Sequence, residues 1–143
     1  MLKLLLAVDG SESALRATRK LLQTLDWYKS PPHIDLVSVQ LPVPHFEGMG
    51  VVVNKAMIDR YYTEESARMH APGKALLEAA GATFAEHTLV GPVAETIVRH
   101  AKESGADMIY MGTRGMTPLG NMVLGSTAAK VLHLATVPVV LIH

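Results

Sequence analysis

The amino-acid sequence predicts an α/β fold: a three-layer, open parallel sheet of five strands with helices on both faces. Short apolar runs alternate along the chain with segments that have helical spacing, and this alternation is typical of parallel sheets. Most of the apolar runs are nearly continuous, as in strands covered on both faces. The length of 143 residues suits one domain, so we expect a single domain over residues 1–143.

The first half of the chain supplies two strands and two helical regions. Residues 2–8 form the first apolar run, and Asp9-Gly10-Ser11 ends it. An amphipathic helix is predicted over residues 13–27, with Ser11 or Ser13 as its cap. The second buried strand covers residues 34–40, and a loop follows to residue 53. Residues 54–81 are helical in composition, but Pro72-Gly73 predicts a kink or two separate helices there.

The second half repeats the alternation. A third strand is predicted over residues 82–90, at the sheet edge because Glu86 and His87 interrupt its apolar character. A helix over residues 92–102 and a fourth strand over residues 106–111 come next. A glycine-containing segment leads to a helix over residues 126–135, and Val137 to Ile142 forms the last strand. Ligands of such sheets bind beyond the carboxyl ends of the strands.

Composition excludes several classes of function. Thirteen basic and thirteen acidic residues give a formal net charge of zero, so the basic excess of a nucleic-acid-binding protein is missing and we expect no nucleic acid partner. The chain has no cysteine, which excludes disulfides and thiolate metal sites. The amino-terminal apolar run ends at Asp9, too early for a signal peptide. We expect a cytoplasmic protein with no membrane contact.

The segment after the fourth strand has the properties of a phosphate cradle. Glycines 112, 115, 120 and 125 allow close backbone approach and positive φ. Consecutive amides can hold an anion, and Ser126 and Thr127 begin a helix whose free amides favour negative charge. Arg114 adds a cation. The segment is neither a P-loop nor a Rossmann fingerprint, and on spacing alone the glycines fit a long turn without a ligand equally well.

The pattern Gly112-x2-Gly115-x9-Gly125-Ser126 resembles the ATP-binding signature of the universal stress protein family. Three further stretches resemble the family in the same order: Leu5 to Ser11 its first strand and acidic turn, Ala106 to Gly115 its fourth strand and turn, and Gly125 to Ile142 its last helix and strand. The resemblance implies the adenine nucleotide alpha hydrolase-like fold with strand order 3-2-1-4-5. It also implies the ATP-binding class of the family, since every position of the motif is present.

Carried over to this sequence, the resemblance implies a site for ATP, with Mg²⁺ held indirectly through Asp9. Val39 would meet the adenine through its backbone, and the glycines with Ser126 would wrap the ribose and triphosphate. Asp9 has a second interpretation, as a cap of the first helix. The complete set of expected cofactor-binding residues is Ala7, Val8, Asp9, Val39, Met111, Gly112, Arg114, Gly115, Gly125, Ser126 and Thr127.

Three functions remain open at this point. The first is an ATP-binding regulator or sensor in stress response. The second is a dimeric interaction scaffold whose nucleotide site is vestigial, and the third is an enzyme with a nucleotide-like substrate. The sequence shows no nucleophile–base pair, so we expect at most slow ATP hydrolysis. The resemblance also implies a homodimer that pairs the last strand, Val137 to Ile142, with its copy.

The seven histidines give no metal-binding pattern in the sequence. They occupy positions 33, 45, 70, 87, 100, 133 and 143, and no two are three or four residues apart on a helix. We expect all seven to be scattered surface residues.

Overall fold

The computed structural model of the chain describes residues 1–44, 54–114 and 124–143. Five parallel strands form one sheet in the order β3-β2-β1-β4-β5, as the resemblance implied. The strands are β1 (Lys3–Ala7), β2 (His33–Gln40), β3 (Phe84–Val90), β4 (Met108–Gly112) and β5 (Val139–Ile142). Since β3 and β5 lie at the two edges, the edge position predicted for the third strand is confirmed.

Four helices cover the two faces of this sheet. They are α1 (Glu12–Gln23), α2 (Lys55–Ala79), α3 (Val93–Ser104) and α4 (Ser126–Leu134), and a short 3₁₀ turn at Leu25–Trp27 follows α1. The first helix therefore ends earlier than predicted, at Thr24, whose hydroxyl donates to the Leu21 carbonyl at 2.8 Å. None of the described helices is long and apolar enough to span a membrane.

The helix α2 runs through Pro72 without interruption, so the expectation of two separate helices is wrong. A proline inside a helix removes one hydrogen bond and costs about 3 kcal/mol. Packing of the same segment opposes that cost: Gly73 is buried, and a Cβ atom there would stand 3.3 Å from Thr18 Oγ1 of α1. The small residue lets α2 and α1 approach closely, and Leu77 one turn later is fully buried.

Alternate residues of the strands point to two separate cores. On one face, Leu4 and Leu6 of β1 pack with α1 residues such as Leu21 and with Leu77 of α2. On the other face, Leu5 and Ala7 belong to a core that includes Ile97 of α3 and Val131 of α4. This three-layer arrangement buries both faces of the central strands and explains their nearly continuous apolar sequence. It also leaves the carboxyl ends of the strands as one open edge.

The last strand is shorter than the run from Val137 to Ile142. It begins at Val139 because Pro138 has no amide hydrogen to donate to a neighbouring strand. The Pro138 carbonyl still accepts from the Ile109 amide at 2.9 Å, which fixes the register between β4 and β5. All four residues of β5 are partly exposed, in agreement with an edge position.

Candidate functional site

A cavity of about 540 Å³ opens at the carboxyl ends of β1, β2 and β4. This volume lies within the range of roughly 300–1,000 Å³ that is usual for small-molecule sites. The first turn of α4 and one side of α2 complete its walls as far as the described residues define them. The order of the strands reverses between β1 and β4, the place where open α/β sheets bind ligands.

Ten of the eleven residues predicted from the sequence line this one cavity. Gly115 lies outside the described residues, so its place in the site stays a prediction. The ten residues that come together are Ala7, Val8, Asp9, Val39, Met111, Gly112, Arg114, Gly125, Ser126 and Thr127.

Gly112 is required by packing against α1. A Cβ atom at this position would lie within 2.2 Å of Ser13 Oγ and 2.7 Å of the Ser13 backbone, which excludes every larger residue unless the backbone moves. The Ser13 hydroxyl in turn accepts a hydrogen bond from the Arg114 amide at 3.1 Å. Ser13 therefore holds the turn that follows β4, a role the sequence did not suggest.

The amino terminus of α4 has no side-chain cap among the described residues. Gly125 is the N-cap residue, with φ −72° and ψ 163°, and within the described ranges no side-chain hydrogen bond caps the helix. Its own amide donates to the Thr113 carbonyl at 2.5 Å. Gly112 and Gly125 do not use the positive φ that glycine allows. Gly125 instead removes any side chain from the point where the helix faces the cavity.

Asp9 does not cap α1. The cap is Ser11, whose hydroxyl accepts from the Ala14 amide at 3.1 Å, while Asp9 Oδ1 accepts from the Ser11 amide at 2.9 Å. The Asp9 carboxylate is partly exposed and lines the cavity. Arg68 of α2 stands near it: a hydrogen bond to Glu65 and the negative charges of Glu65 and Asp9 raise the pKa of Arg68.

The end of β2 presents free backbone groups to the cavity. The last hydrogen bond between β1 and β2 joins the Val8 amide to the Val37 carbonyl at 2.9 Å. Polar groups of a parallel strand alternate between its two neighbours, so those of Val39 point to the same side as those of Val37. The amide and carbonyl of Val39 therefore lie beyond the last hydrogen bond between β1 and β2.

Sequence reasoning missed the part of the site that α2 contributes. Tyr61, Glu65 and Met69 follow one another at four-residue spacing and line the cavity together with Gln40. Gln40 Nε2 donates to Ser66 Oγ at 2.7 Å and to the Tyr62 carbonyl at 2.9 Å, which ties α2 to the end of β2. The four-residue spacing was visible in the sequence, but nothing there showed that this stripe meets the sheet.

The expectation that all histidines are scattered surface residues is wrong. His70 is 2% exposed and its Nδ1 lies 2.9 Å from Glu86 Oε1. On the other face of the sheet, three further histidines, His33, His87 and His100, surround Asp35. Burial and then the charge of His87 lower the pKa of His100 below its ordinary value of 6.5, against the opposing effect of Asp35.

The model of the universal stress protein family matches residues 1–143. This chain belongs to that family. Universal stress protein YxiE of Bacillus subtilis (strain 168) is 30% identical over 99% of this chain and 98% of its own length. The family assignment that the glycine pattern suggested is confirmed.

Solved structures of the family share the fold of this universal stress protein. Universal stress protein UspA from Lactobacillus plantarum superposes with a TM-score of 0.81 at 18% identity, over 99% of this chain and 97% of that one. The universal stress protein from Archaeoglobus fulgidus in complex with dAMP gives a TM-score of 0.65 at 22% identity, over 100% and 98% of the two chains. The predicted five-stranded fold is therefore confirmed.

Proposed function

We propose that this universal stress protein binds ATP with Mg²⁺ in the cavity at the carboxyl edge of the sheet, and acts as a nucleotide-dependent regulator or sensor in cytoplasmic stress response. The observation that carries the proposal is the convergence of ten predicted site residues on that one cavity. The cavity combines an uncapped helix terminus, a cation, a carboxylate and a free strand end. The first two suit the phosphates, the carboxylate suits Mg²⁺, and the strand end suits the adenine base.

The amino terminus of α4 suits the phosphates. Free first-turn amides and the positive end of the helix dipole attract anions, and Ser126 and Thr127 add hydroxyl groups at the same place. The backbone of Arg114 is held by the hydrogen bond from its amide to Ser13 Oγ. Its side-chain Nε atom is buried and has no hydrogen-bond partner among the described residues. A phosphate oxygen would satisfy that donor with a charge-assisted hydrogen bond.

The end of β2 suits the adenine base. The Val39 amide can donate to a ring nitrogen, and its carbonyl can accept from the exocyclic amino group. Apolar walls for the two faces of the base come from Val37, Ile97 and Met111, which line the same cavity. The dAMP complex of the similar Archaeoglobus fulgidus protein supports an adenine nucleotide as the ligand.

Asp9 fits the role of a magnesium partner. Mg²⁺ prefers oxygen ligands, keeps several of its waters and is held by one or two carboxylates together with substrate phosphates. Asp9 has one carboxylate oxygen committed to the Ser11 amide, which orients the side chain at the cavity edge. The Mg²⁺, when bound, would neutralise part of the phosphate charge next to Asp9.

The substitution Thr127→Glu tests the phosphate end without weakening the helix. A glutamate in the first turn interacts favourably with the helix dipole, by about 0.3–1 kcal/mol, so α4 is not destabilised. The same carboxylate lies where the phosphates are proposed to bind and repels them. We expect the Kd for MgATP, measured by isothermal titration calorimetry, to rise by at least about tenfold, or 1.4 kcal/mol.

Ala129→Glu is the matched control for this experiment. Ala129 is exposed on the same helix, two residues further on, and does not line the cavity. The control adds the same charge and should leave the Kd nearly unchanged. Equal affinities for MgATP in the wild-type protein and Thr127→Glu would refute this site. A wild-type protein that binds no adenine nucleotide would favour the alternative, a dimeric scaffold with a vestigial site.

The proposed homodimer uses the edge of β5. Its four residues are apolar and partly exposed, and the strand has a neighbour on one side only in the described sheet. Such an edge invites pairing with another strand, and a two-fold copy closes it. Sedimentation equilibrium should give twice the chain mass of 15.4 kDa, whereas a mass of one chain would contradict the dimer.

A further inference from the structure

A second cluster of polar side chains lies on the α3 face of the sheet. Asp35 of β2, His87 of β3 and His100 of α3 bring one ligand atom each to within 4.8 Å of the others. His87 Nε2 is 3.3 Å from Asp35 Oδ1, and His100 Nε2 is 3.6 Å from Asp35 Oδ2. The two imidazole rings have centroids 4.7 Å apart. Two imidazoles thus face one carboxylate from two different elements.

The two nitrogen–oxygen distances, each to a different oxygen of Asp35, are close to the spacing of neighbouring donors around a tetrahedral metal ion. Zinc bonds to nitrogen and oxygen are about 2.0–2.2 Å long, and the tetrahedral angle then places neighbouring donors about 3.3–3.6 Å apart. The three ligand atoms already lie within 4.8 Å of one another, and they would draw closer to surround an ion. Direct hydrogen bonds from the two rings to the carboxylate would be shorter, at about 2.7–2.9 Å.

Burial of the cluster leaves two of its polar atoms without partners. The Asp35 side chain is 3% exposed and that of His100 is 15% exposed. Within the described residues, Asp35 Oδ2 and His100 Nε2 are buried and have no hydrogen-bond partner. An unsatisfied buried polar group costs about 1–3 kcal/mol. A cation between the two atoms would satisfy both at once.

We propose that this universal stress protein binds a divalent transition metal ion of the zinc type through Asp35, His87 and His100. His33 is not one of these three ligands. Its Nε2 approaches Asp35 Oδ1 at 3.1 Å and orients the carboxylate so that Oδ2 faces the ion. The His87 side chain is 34% exposed, so the ion enters from that side and water completes the coordination there. Two imidazole donors select zinc-like ions over Mg²⁺ and Ca²⁺.

The site is independent of the proposed nucleotide cavity. None of Asp35, His87 and His100 lines that cavity, although its lining includes Val37, two residues after Asp35 on β2. The ion would connect β2, β3 and α3, and a ligand that binds only the folded state raises its stability.

Zinc titration of the tag-free, chelator-treated full chain tests the proposal. Isothermal titration calorimetry with ZnCl₂ should give one ion per chain, and the Tm should rise with Zn²⁺ but not with Mg²⁺. Co²⁺, used as a spectroscopic probe, should show the strong visible absorption of a tetrahedral site. The His87→Asn and His100→Asn variants should each bind Zn²⁺ at least about tenfold more weakly.

His133→Asn serves as the matched control, because His133 is an exposed histidine of α4 and its loss should change nothing. The partly exposed position of His87 makes His87→Asn the variant best able to fold, and its Tm without metal verifies this. Absence of stoichiometric Zn²⁺ uptake by the wild-type chain would overturn the proposal. So would unchanged Zn²⁺ affinity in folded His87→Asn, or a loss of affinity in His133→Asn as large as in His100→Asn.

Discussion

The carboxyl-edge cavity and the cluster around Asp35 are both polar sites, but the cavity is formed mainly by backbone groups and the cluster by side chains. The cavity depends largely on the backbone: the uncapped amides of α4 and the free strand end at Val39. The cluster depends on side chains, two imidazoles and a buried carboxylate. At α4 the first therefore presents positive partial charges to a ligand, whereas the second presents a negative charge and lone pairs.

The position along the strands explains this difference. At Asp35 the backbone of β2 is paired with β1 on one side and β3 on the other, so only side chains are available for a ligand. At Val39 the strand β1 has already ended, and main-chain groups become available. A parallel sheet thus favours anions and bases at its carboxyl edge, while a cation in its middle requires donor side chains.

The largest effect is expected at Gly112, where the backbone of the cavity packs against α1. In Gly112→Ala the new Cβ atom would overlap Ser13 Oγ and the Ser13 backbone, so we expect the free energy of unfolding to fall by about 3 kcal/mol. Urea denaturation without nucleotide measures this change. Gly81→Ala is the comparison, because Gly81 has φ +66° but open space around it. This substitution should lower the free energy of unfolding by only about 1–2 kcal/mol.

A Gly112→Ala protein that is no less stable than Gly81→Ala would show that Gly112 is not held by packing. In that case its absent side chain would matter only for ligand approach, as the sequence alone suggested.

A smaller effect is expected from Asp9→Asn, which tests the one charged side chain assigned to magnesium in the cavity. Asparagine keeps an oxygen that can accept from the Ser11 amide but removes the negative charge. The affinity for MgATP should fall by about tenfold, or 1.4 kcal/mol, while the affinity for AMP without Mg²⁺ should change by less than about twofold. Calorimetric titrations with both nucleotides measure the difference.

Asp107→Asn is the matched control, since its carboxylate also accepts a backbone amide, that of Lys3 at 2.8 Å, and lies outside the cavity lining. Equal losses for MgATP and AMP in Asp9→Asn would mean that Asp9 contacts the nucleoside and not the metal.

The fold could be predicted from the sequence because each strand and helix has a local signal. The buried strands are apolar runs, Ser11 precedes a helix, and Gly105 closes α3 with a left-handed φ of 71°. The continuity of α2 through Pro72 could not be predicted in this way. It depends on Gly73 meeting Thr18, a contact between residues 55 positions apart.

The two sites also differ in whether their residues lie close together in the sequence. Residues of the cavity occur in short stretches at strand ends, so a motif that is local in the sequence identifies most of them. The cluster around Asp35 joins positions 35, 87 and 100, which meet only through the pairing of Val37 with His87 and the face that α3 turns to the sheet. One signal was present in the sequence: Asp35 is an acidic residue inside a strand that was predicted to be buried.

The smallest effect is expected in the pH dependence of stability, which depends on the cluster and not on the cavity. Burial and then His87 lower the pKa of His100, while Asp35 and Glu103 oppose them. His100 therefore takes up a proton near pH 6.5 in the unfolded chain, whereas in the folded chain it stays neutral until the pH is lower. Stability must then fall as the pH is lowered from about 6.5 through the depressed folded-state pKa, and stay level above that range.

Urea denaturation between pH 8 and pH 5 measures this slope. His100→Asn should show a shallower loss of stability on acidification than the wild-type protein, and the exposed His133→Asn should match the wild type. With Zn²⁺ present the wild-type slope should become steeper, because protonation of the imidazoles releases the metal. If His100→Asn loses stability as steeply as the wild type, the burial of His100 does not govern its titration, and the chemical difference between the two sites is smaller than the structure indicates.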